Sequence, residues 1–440
     1  MNITTNYGGY LFVIDEEKRA SVISDYIQKD GTFTDAISAP DWQTKQTEIF
    51  FVSLSQGNID YVSFAKRGNK VATQKYHIRL SNFYQFEPPI PIISIQEALD
   101  NRAQSYFARS STGIGSRIPP MTWRKLLDAI KRIRPDSTDA LDRLEKLRNF
   151  EPTFFNRQGV ENVVQERDAV NIALRMSGFD PKTILTWSPP SEGIAPFLIG
   201  LKQAVLDEDR MVNHDAEVFG DWQRVKRYQV GAAVFQKDRE RLTVINVNRH
   251  KLEETLGVDL IYYCHRYNSY LMIQYKRLIQ ADEEGKLCYR PTDKSYKEEI
   301  ERMKDFEKLF SRDKSISDLS AYRLHQDPFY FKLCPAGIFD PTSIDMIHGM
   351  YIPLDYWQVL LNSPSILGKR GGKILTFDNV ERYINNTFFI NLVYEGWIGS
   401  KAIRTDVLSD IIQTSLEKNK AVILAALSIV EQTKYDENNK

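Results

Sequence analysis

A carboxylate, an amide and an amine lie close together in the segment Lys251–Leu278 of this 440-residue chain. Asp259 stands in one short apolar run, and Gln274 and Lys276 stand in the next. Alternate side chains of a strand share a face, so Gln274 and Lys276 would point one way and Tyr275 the other. Carboxylate and amide oxygens can ligate a hard divalent ion, and an amine can orient water or stabilise a pentavalent phosphate. The pattern is typical of a Mg²⁺-dependent phosphodiester hydrolase.

Two strands joined by a tight turn would bring these side chains together. The runs Val258–Cys264 and Tyr270–Leu278 are rich in β-branched, aromatic and other apolar residues, so they predict strands. The polar tip His265–Ser269 predicts the hairpin loop that would place Asp259 beside Gln274. The further elements expected are a preceding helix, then a long helix and a last strand: Arg249–Leu256, Tyr296–Phe310 and Phe329–Cys334.

These residues and this order of elements resemble the PD-(D/E)xK nuclease superfamily, specifically its QxK branch, which includes Mrr-like restriction enzymes. The resemblance covers Arg249–Cys334, about a fifth of the chain. It implies a restriction-endonuclease-like αβββαβ core in which Asp259, Gln274 and Lys276 are catalytic. Val258 replaces the proline of the family's PD dipeptide, and Gln274 replaces its second acid, which removes one negative charge from the metal site.

The resemblance also implies a further acid on the helix before the first catalytic strand. Glu253 and Glu254 are the candidates. The family pattern E-x-x-x-G-x-D favours Glu253, which stands four residues before Gly257. The implied ligands of Mg²⁺, for which Mn²⁺ could substitute, are Glu253, Asp259, Gln274 and the carbonyl of Tyr275.

The amino-acid composition argues against several classes of protein. The 58 basic and 58 acidic residues cancel, which argues against a polybasic nucleic-acid binder but allows a local basic groove. An odd cysteine count of 3, with no CxxC pair, favours a reducing compartment. We see no signal peptide and no apolar run long enough to span a membrane, so we expect a cytoplasmic protein without a membrane partner. The apolar run Ala421–Val430 predicts a buried C-terminal helix.

Four regions are expected in an α+β multidomain chain. They are a β-rich recognition domain (1–95), a helical domain (96–230), the nuclease-like core (231–336) and a mixed C-terminal extension that packs on the core (337–440). The first region is expected to be a small β-barrel or a strongly bent sheet.

Two sets of basic residues are candidates for nucleic-acid contact. Lys66, Arg67 and Arg79 alternate with aromatic residues in the first region, and Lys294 and Lys297 lie near the start of the long helix. The alternatives are an ordinary sheet with a basic turn, and a solvated helix face on which the lysines pair with glutamates.

The sequence therefore predicts a Mg²⁺-dependent DNA endonuclease. The resemblance adds an expected role as an effector of prokaryotic anti-phage defence, with a partner protein or a homo-oligomer as further expectations. One alternative is a modification-dependent restriction enzyme whose N-terminal region reads a modified base. The other is a non-catalytic nucleic-acid-binding or scaffold subunit that keeps the nuclease fold.

Overall fold

The computed structural model describes residues 7–14, 17–30, 32–38, 47–55, 57–72, 75–148, 157–190, 195–201, 228–248, 258–280, 286–291, 294–310, 319–337, 339–369, 371–400 and 405–429. The chain divides into two compact units, residues 1–151 with 341–343 and residues 152–340 with 344–440. Each unit contains a mixed sheet together with helices, so the α+β class is confirmed. The domain boundaries expected at 95, 230 and 336 stay predictions.

The first unit is built on a six-stranded sheet of order β2-β5-β4-β3-β1-β6. Only β1 and β3 pair in parallel among its neighbours. Register shifts interrupt the long β4–β5 ladder. Among the described residues β2 and β6 lie at opposite edges without pairing to each other, so the described sheet is bent and open. Its elements are β1 (Gly9–Val13), α1 (Glu17–Asp30), β2 (Thr32–Ser38), β3 (Glu48–Ser53), β4 (Asn58–Ala72), β5 (Lys75–Pro91), α2 (Ile92–Glu97), α3 (Asn101–Ser110), β6 (Arg117–Ile118), α4 (Pro120–Ile133) and α5 (Thr138–Arg148).

The second unit contains a sheet of order β13-β12-β10-β9-β14-β8-β7, with the short β11 paired to β10. β9 and β10 are antiparallel, and β10 and β12 are parallel. Its elements are α6 (Arg157–Met176), β7 (Gln229–Lys237), β8 (Glu240–Val247), β9 (Val258–Cys264), β10 (Ser269–Gln280), β11 (Leu287–Cys288), α7 (Lys294–Phe310), β12 (Phe329–Pro335), β13 (Met350–Pro353), α8 (Leu354–Leu360), α9 (Asn386–Tyr394), α10 (Thr405–Glu417) and β14 (Ala421–Ile429).

The C-terminal apolar run is a strand, so the expected helix over Ala421–Val430 was wrong. β14 lies between β8 and β9, antiparallel to the first and parallel to the second. Eight of its nine residues are buried, because a strand inside a sheet covered on both faces is apolar throughout. A short run of this kind has no periodicity that separates a buried strand from a buried helix.

The two faces of this large sheet pack against different helices. On one face, Ile261 and Met272 belong to the same apolar cluster as Met303 of α7 and Ile411 of α10. On the other face, the Tyr275 hydroxyl reaches Asp168 in the middle of α6. Side chains that alternate along β10 therefore enter two separate environments.

Candidate active site

The register of the β9–β10 hairpin places Asp259 directly opposite Gln274. Residues that pair in this way share a face, with their Cβ atoms about 5 Å apart. A short 3-10 turn, His265–Tyr267, and a left-handed Asn268 (φ 44°) connect the strands and set this register. Both polar side chains are buried, at 1% exposure each.

Lys276 stands two residues further along β10 on the same face as Gln274. Its ammonium lies 5.6 Å from the ring centroid of Tyr296 on α7 and 5.8 Å from that of Phe331 on β12. Tyr275, between Gln274 and Lys276, points to the opposite face and donates to Asp168 over 2.8 Å. The alternation expected for Gln274, Tyr275 and Lys276 is thus present, and two aromatic rings lie within cation–π range of the Lys276 ammonium.

The last turn of α10 and the turn before β14 supply contacts to Asp259 that the sequence did not predict. The Ser415 hydroxyl donates to Asp259 Oδ2 over 3.1 Å, and Lys420 Nζ lies 3.5 Å from Asp259 Oδ1. Val422 of β14 is level with Asp259 of β9, so the turn before β14 must lie at this end of the sheet. Asn419, in the left-handed region (φ 56°), turns the chain there. A prediction from sequence that β14 pairs with β9 would have placed Ser415 and Lys420 near Asp259.

A small, partly open pocket adjoins Gln274, with a cavity volume of about 20 Å³. Met272, Met303 and Phe306 form much of its apolar wall, and Gln274, Ser415 and Lys418 lie at its polar side. The pocket combines an apolar wall with a few convergent polar groups, as ligand sites commonly do.

The described residues provide two of the expected side-chain oxygen donors for Mg²⁺, from Asp259 and Gln274. Within the described ranges, no group of three or more His, Cys, Asp or Glu residues could hold a metal ion. Glu253 and Glu254 lie outside the described residues, and the role of the Tyr275 carbonyl stays a prediction. The donor set fits a hard divalent ion only when Glu253 completes it, because the one described carboxylate already faces an ammonium group.

The candidate nucleic-acid contacts of the first unit lie on the β4–β5 hairpin. Lys66 is directly opposite Arg79 in the ladder, so these two side chains share a face. The Arg67 guanidinium lies 4.7 Å from the ring centroid of Tyr76. These positions do not test whether Lys66, Arg67 and Arg79 contact nucleic acid, so that contact stays a prediction.

The two lysines near the start of α7 are only partly described. Lys297 is exposed on the helix, whereas the side chain of Lys294 lies outside the described residues. Their contact with a DNA backbone stays a prediction.

A second polar cluster lies on the opposite face of the sheet and has a structural role. Lys332 Nζ is 2.5 Å from Asp168 Oδ2, and both side chains are fully buried. Tyr275 and the backbone N–H of Ile347 also donate to the Asp168 carboxylate. These hydrogen bonds satisfy a buried charge pair, so the cluster joins α6 to the sheet.

Comparison with known proteins adds no assignment to this geometry. No family model matches the chain, and no curated protein or solved structure matches it either. Within the described parts of the chain, no helix has the length and apolar character needed to cross a membrane.

Proposed function

We propose that the chain is a nuclease of the PD-(D/E)xK type, QxK branch, that hydrolyses phosphodiester bonds of DNA. The observation that carries this proposal is the pairing of Asp259 with Gln274 on antiparallel strands, with Lys276 next on the same face. The order β9, β10, β11, α7, β12 supports an αβββαβ core whose first helix would be Arg249–Leu256, outside the described residues. Insertion of β14 beside β9 is this chain's own addition to that pattern.

In this proposal the side chains have separate tasks. Asp259, Gln274, Glu253 and the carbonyl of Tyr275 would hold Mg²⁺, or Mn²⁺ in its place, and the ion would supply a water of lowered pKa and neutralise charge on the phosphate. Ser415 donates to one oxygen of Asp259 and so fixes the orientation of the carboxylate. Lys276 donates to the attacking water or to the phosphate oxygen on which charge develops.

The wider role follows from the resemblance. We propose a cytoplasmic effector of anti-phage defence whose first unit recognises the target, including a modified base in the restriction-enzyme alternative. A partner protein or a second copy of the chain would supply the trigger.

A non-catalytic nucleic-acid-binding or scaffold subunit is the second candidate. The observation that favours it is the Lys420 ammonium, 3.5 Å from the carboxylate that would bind the metal. A cation in that position opposes a divalent ion unless it moves away or a second carboxylate is present.

A cleavage assay on the full chain separates the two candidates. Double-stranded DNA, single-stranded DNA and RNA are incubated with Mg²⁺ or with EDTA. We expect cleavage of DNA only with Mg²⁺, and a rate at least about 100-fold lower in Asp259→Asn. The control is Asp305→Asn, since this exposed acid of α7 is paired only with Lys308 among its described ion pairs.

Undiminished cleavage by Asp259→Asn would move the active site elsewhere. Nucleic-acid binding with no cleavage under any of these conditions would favour the non-catalytic candidate.

A further inference from the structure

The turn between α10 and β14 brings two lysines to the candidate active site. Lys420 is 13% exposed and lies beside Asp259. Lys418 lines the pocket that also includes Gln274 and Ser415. These residues come from the last part of the second unit, far in sequence from the hairpin that carries Asp259.

The charges of this site favour an anion. Among its described residues, Lys276, Lys418 and Lys420 carry positive charge, and Asp259 carries the negative charge. Coulombic interactions strengthen where side chains are largely removed from water, so this surplus attracts an anionic group more strongly than it would at an exposed surface. If Glu253 is added to the site, the surplus of positive charge becomes smaller, but its sign does not change.

The neutral groups at the polar side of the pocket suit an oxyanion. The Gln274 amide group can donate a hydrogen bond to an oxyanion, and lysine is a common point-charge partner of phosphate, whereas the Ser415 hydroxyl donates to Asp259. The apolar wall formed by Met303 and Phe306 lies alongside, where it could contact the base or sugar of the same nucleotide.

We propose that Lys420, assisted by Lys418, binds a phosphate group of the nucleic-acid strand next to the phosphate that is cleaved. This oxyanion subsite rests on the proposed function, since it adds a second phosphate contact to the same site. Without substrate, the Asp259 carboxylate holds the Lys420 ammonium. With substrate, the phosphate takes over that ammonium, and Asp259 is released to serve the reaction.

The competing explanation is that Lys420 only anchors the turn to the sheet. The two explanations differ in their response to loss of the carboxylate. If Lys420 belongs to a phosphate subsite, Asp259→Asn removes a competitor and strengthens anion binding. If Lys420 is only an anchor, Asp259→Asn leaves anion binding unchanged.

The test measures anion binding to the full chain in EDTA, where cleavage plays no part. Calorimetry gives the Kd of inorganic phosphate, and fluorescence anisotropy gives the Kd of a short single-stranded oligonucleotide and its dependence on salt. We expect Lys420→Met to weaken oligonucleotide binding about tenfold, a loss of about 1.4 kcal/mol, and to reduce the salt slope by about one unit. Lys420→Arg should retain binding within about threefold, because it keeps the charge. Asp259→Asn should tighten binding several-fold.

Lys308→Met is the matched control, because Lys308 is an exposed lysine of α7 whose described partner is Asp305. It should leave both affinities unchanged. If Lys420→Met lowers the melting temperature, the comparison of wild type with Lys420→Met is replaced by that of Asp259→Asn with Asp259→Asn/Lys420→Met. Neither of these variants has a carboxylate at position 259 that could be left buried without its lysine. The double variant should lose the gain made by Asp259→Asn.

Equal oligonucleotide affinities for wild type and a folded Lys420→Met would overturn the subsite, whatever the effect of Lys420→Met on the binding of inorganic phosphate. Unchanged binding in Asp259→Asn would assign Lys420 to anchoring and would also overturn it. Binding through Lys420 without any Mg²⁺-dependent cleavage would contradict only the proposed nuclease activity. Cleavage with no contribution of Lys420 to anion binding would contradict only the subsite.

Discussion

Two buried lysines on neighbouring strands show how position decides the role of a residue. Lys276 of β10 pairs with Leu333 of β12, and Lys332 of β12 pairs with Tyr275 of β10. Lys332 is fully buried and bonded to Asp168, so its charge is balanced inside the protein. Lys276 retains 9% exposure on the face that carries Gln274. Lys332 therefore stabilises the packing of α6 on one face of the sheet, whereas Lys276, on the neighbouring strand, belongs to the candidate active site on the other face.

A buried acid on the packing face makes stability depend on pH. Glu166 of α6 accepts a hydrogen bond from the backbone N–H of Phe197 over 2.7 Å, and burial raises its pKa from 4.5 to about 7. Between these two values the folded chain binds more protons at Glu166 than the unfolded chain, so stability falls as pH rises through this window. Glu166→Gln should remove this contribution, because glutamine has no proton to lose and keeps an oxygen that can accept from Phe197.

The measurement is the melting temperature of wild type and Glu166→Gln at a series of pH values from about 4.5 to about 7.5. Wild type should lose stability relative to the variant as pH rises. Parallel curves for the two proteins would show that Glu166 has an ordinary pKa in the folded chain.

At the scale of elements, the hairpin could be predicted from sequence and its surroundings could not. The bounds of β9 are the predicted Val258–Cys264, because a compact apolar run ends at a polar turn. The helix α1 was missed because its segment is largely polar; among its described side chains, Ala20, Ile23 and Ile27 join the core. β14 was predicted as a helix. Its pairing with β9 was therefore not expected, and neither were the contacts of Ser415 and Lys420 with Asp259. Contacts between segments so far apart follow from sheet order, which local patterns do not encode.

The β4–β5 hairpin is the element of the first unit whose binding role can be tested alone. Lys66 and Arg79 face the same side of the sheet as direct cross-strand partners. If both contact phosphates, Lys66→Glu with Arg79→Glu should weaken DNA binding and reduce its salt slope by about two units. The control is Lys146→Glu with Arg102→Glu, which makes the same charge change at exposed positions on α5 and α3.

Binding of DNA at several salt concentrations measures this slope. If the hairpin and control variants lose affinity and slope equally, net charge alone is responsible. If neither loses them, the hairpin does not contact nucleic acid.

At the scale of the whole molecule, the candidate chemistry is confined to one face of one sheet in the second unit. Asp259 and Gln274 come from its central hairpin, Lys276 from the same strand β10, and Ser415 and Lys420 from the segment that leads into β14. Since β14 pairs with both β8 and β9, the C-terminal part of the chain is needed to complete the sheet. The site thus forms only when distant parts of the unit have folded together, although its three defining side chains lie within 18 residues of sequence, from 259 to 276.

The central claim is that this face hydrolyses phosphodiester bonds, and Lys276 tests it most directly. The measurement is the single-turnover rate of DNA cleavage in Mg²⁺ by wild type, Lys276→Met and the control Lys308→Met, each with its melting temperature and DNA affinity. We predict that Lys276→Met lowers the rate by at least about 100-fold while the fold and most of the binding are retained, because the lost ammonium acts on charge that develops in the transition state. Lys308→Met should cleave at the wild-type rate. A folded Lys276→Met that cleaves within about threefold of wild type would contradict the assignment of this face as the active site.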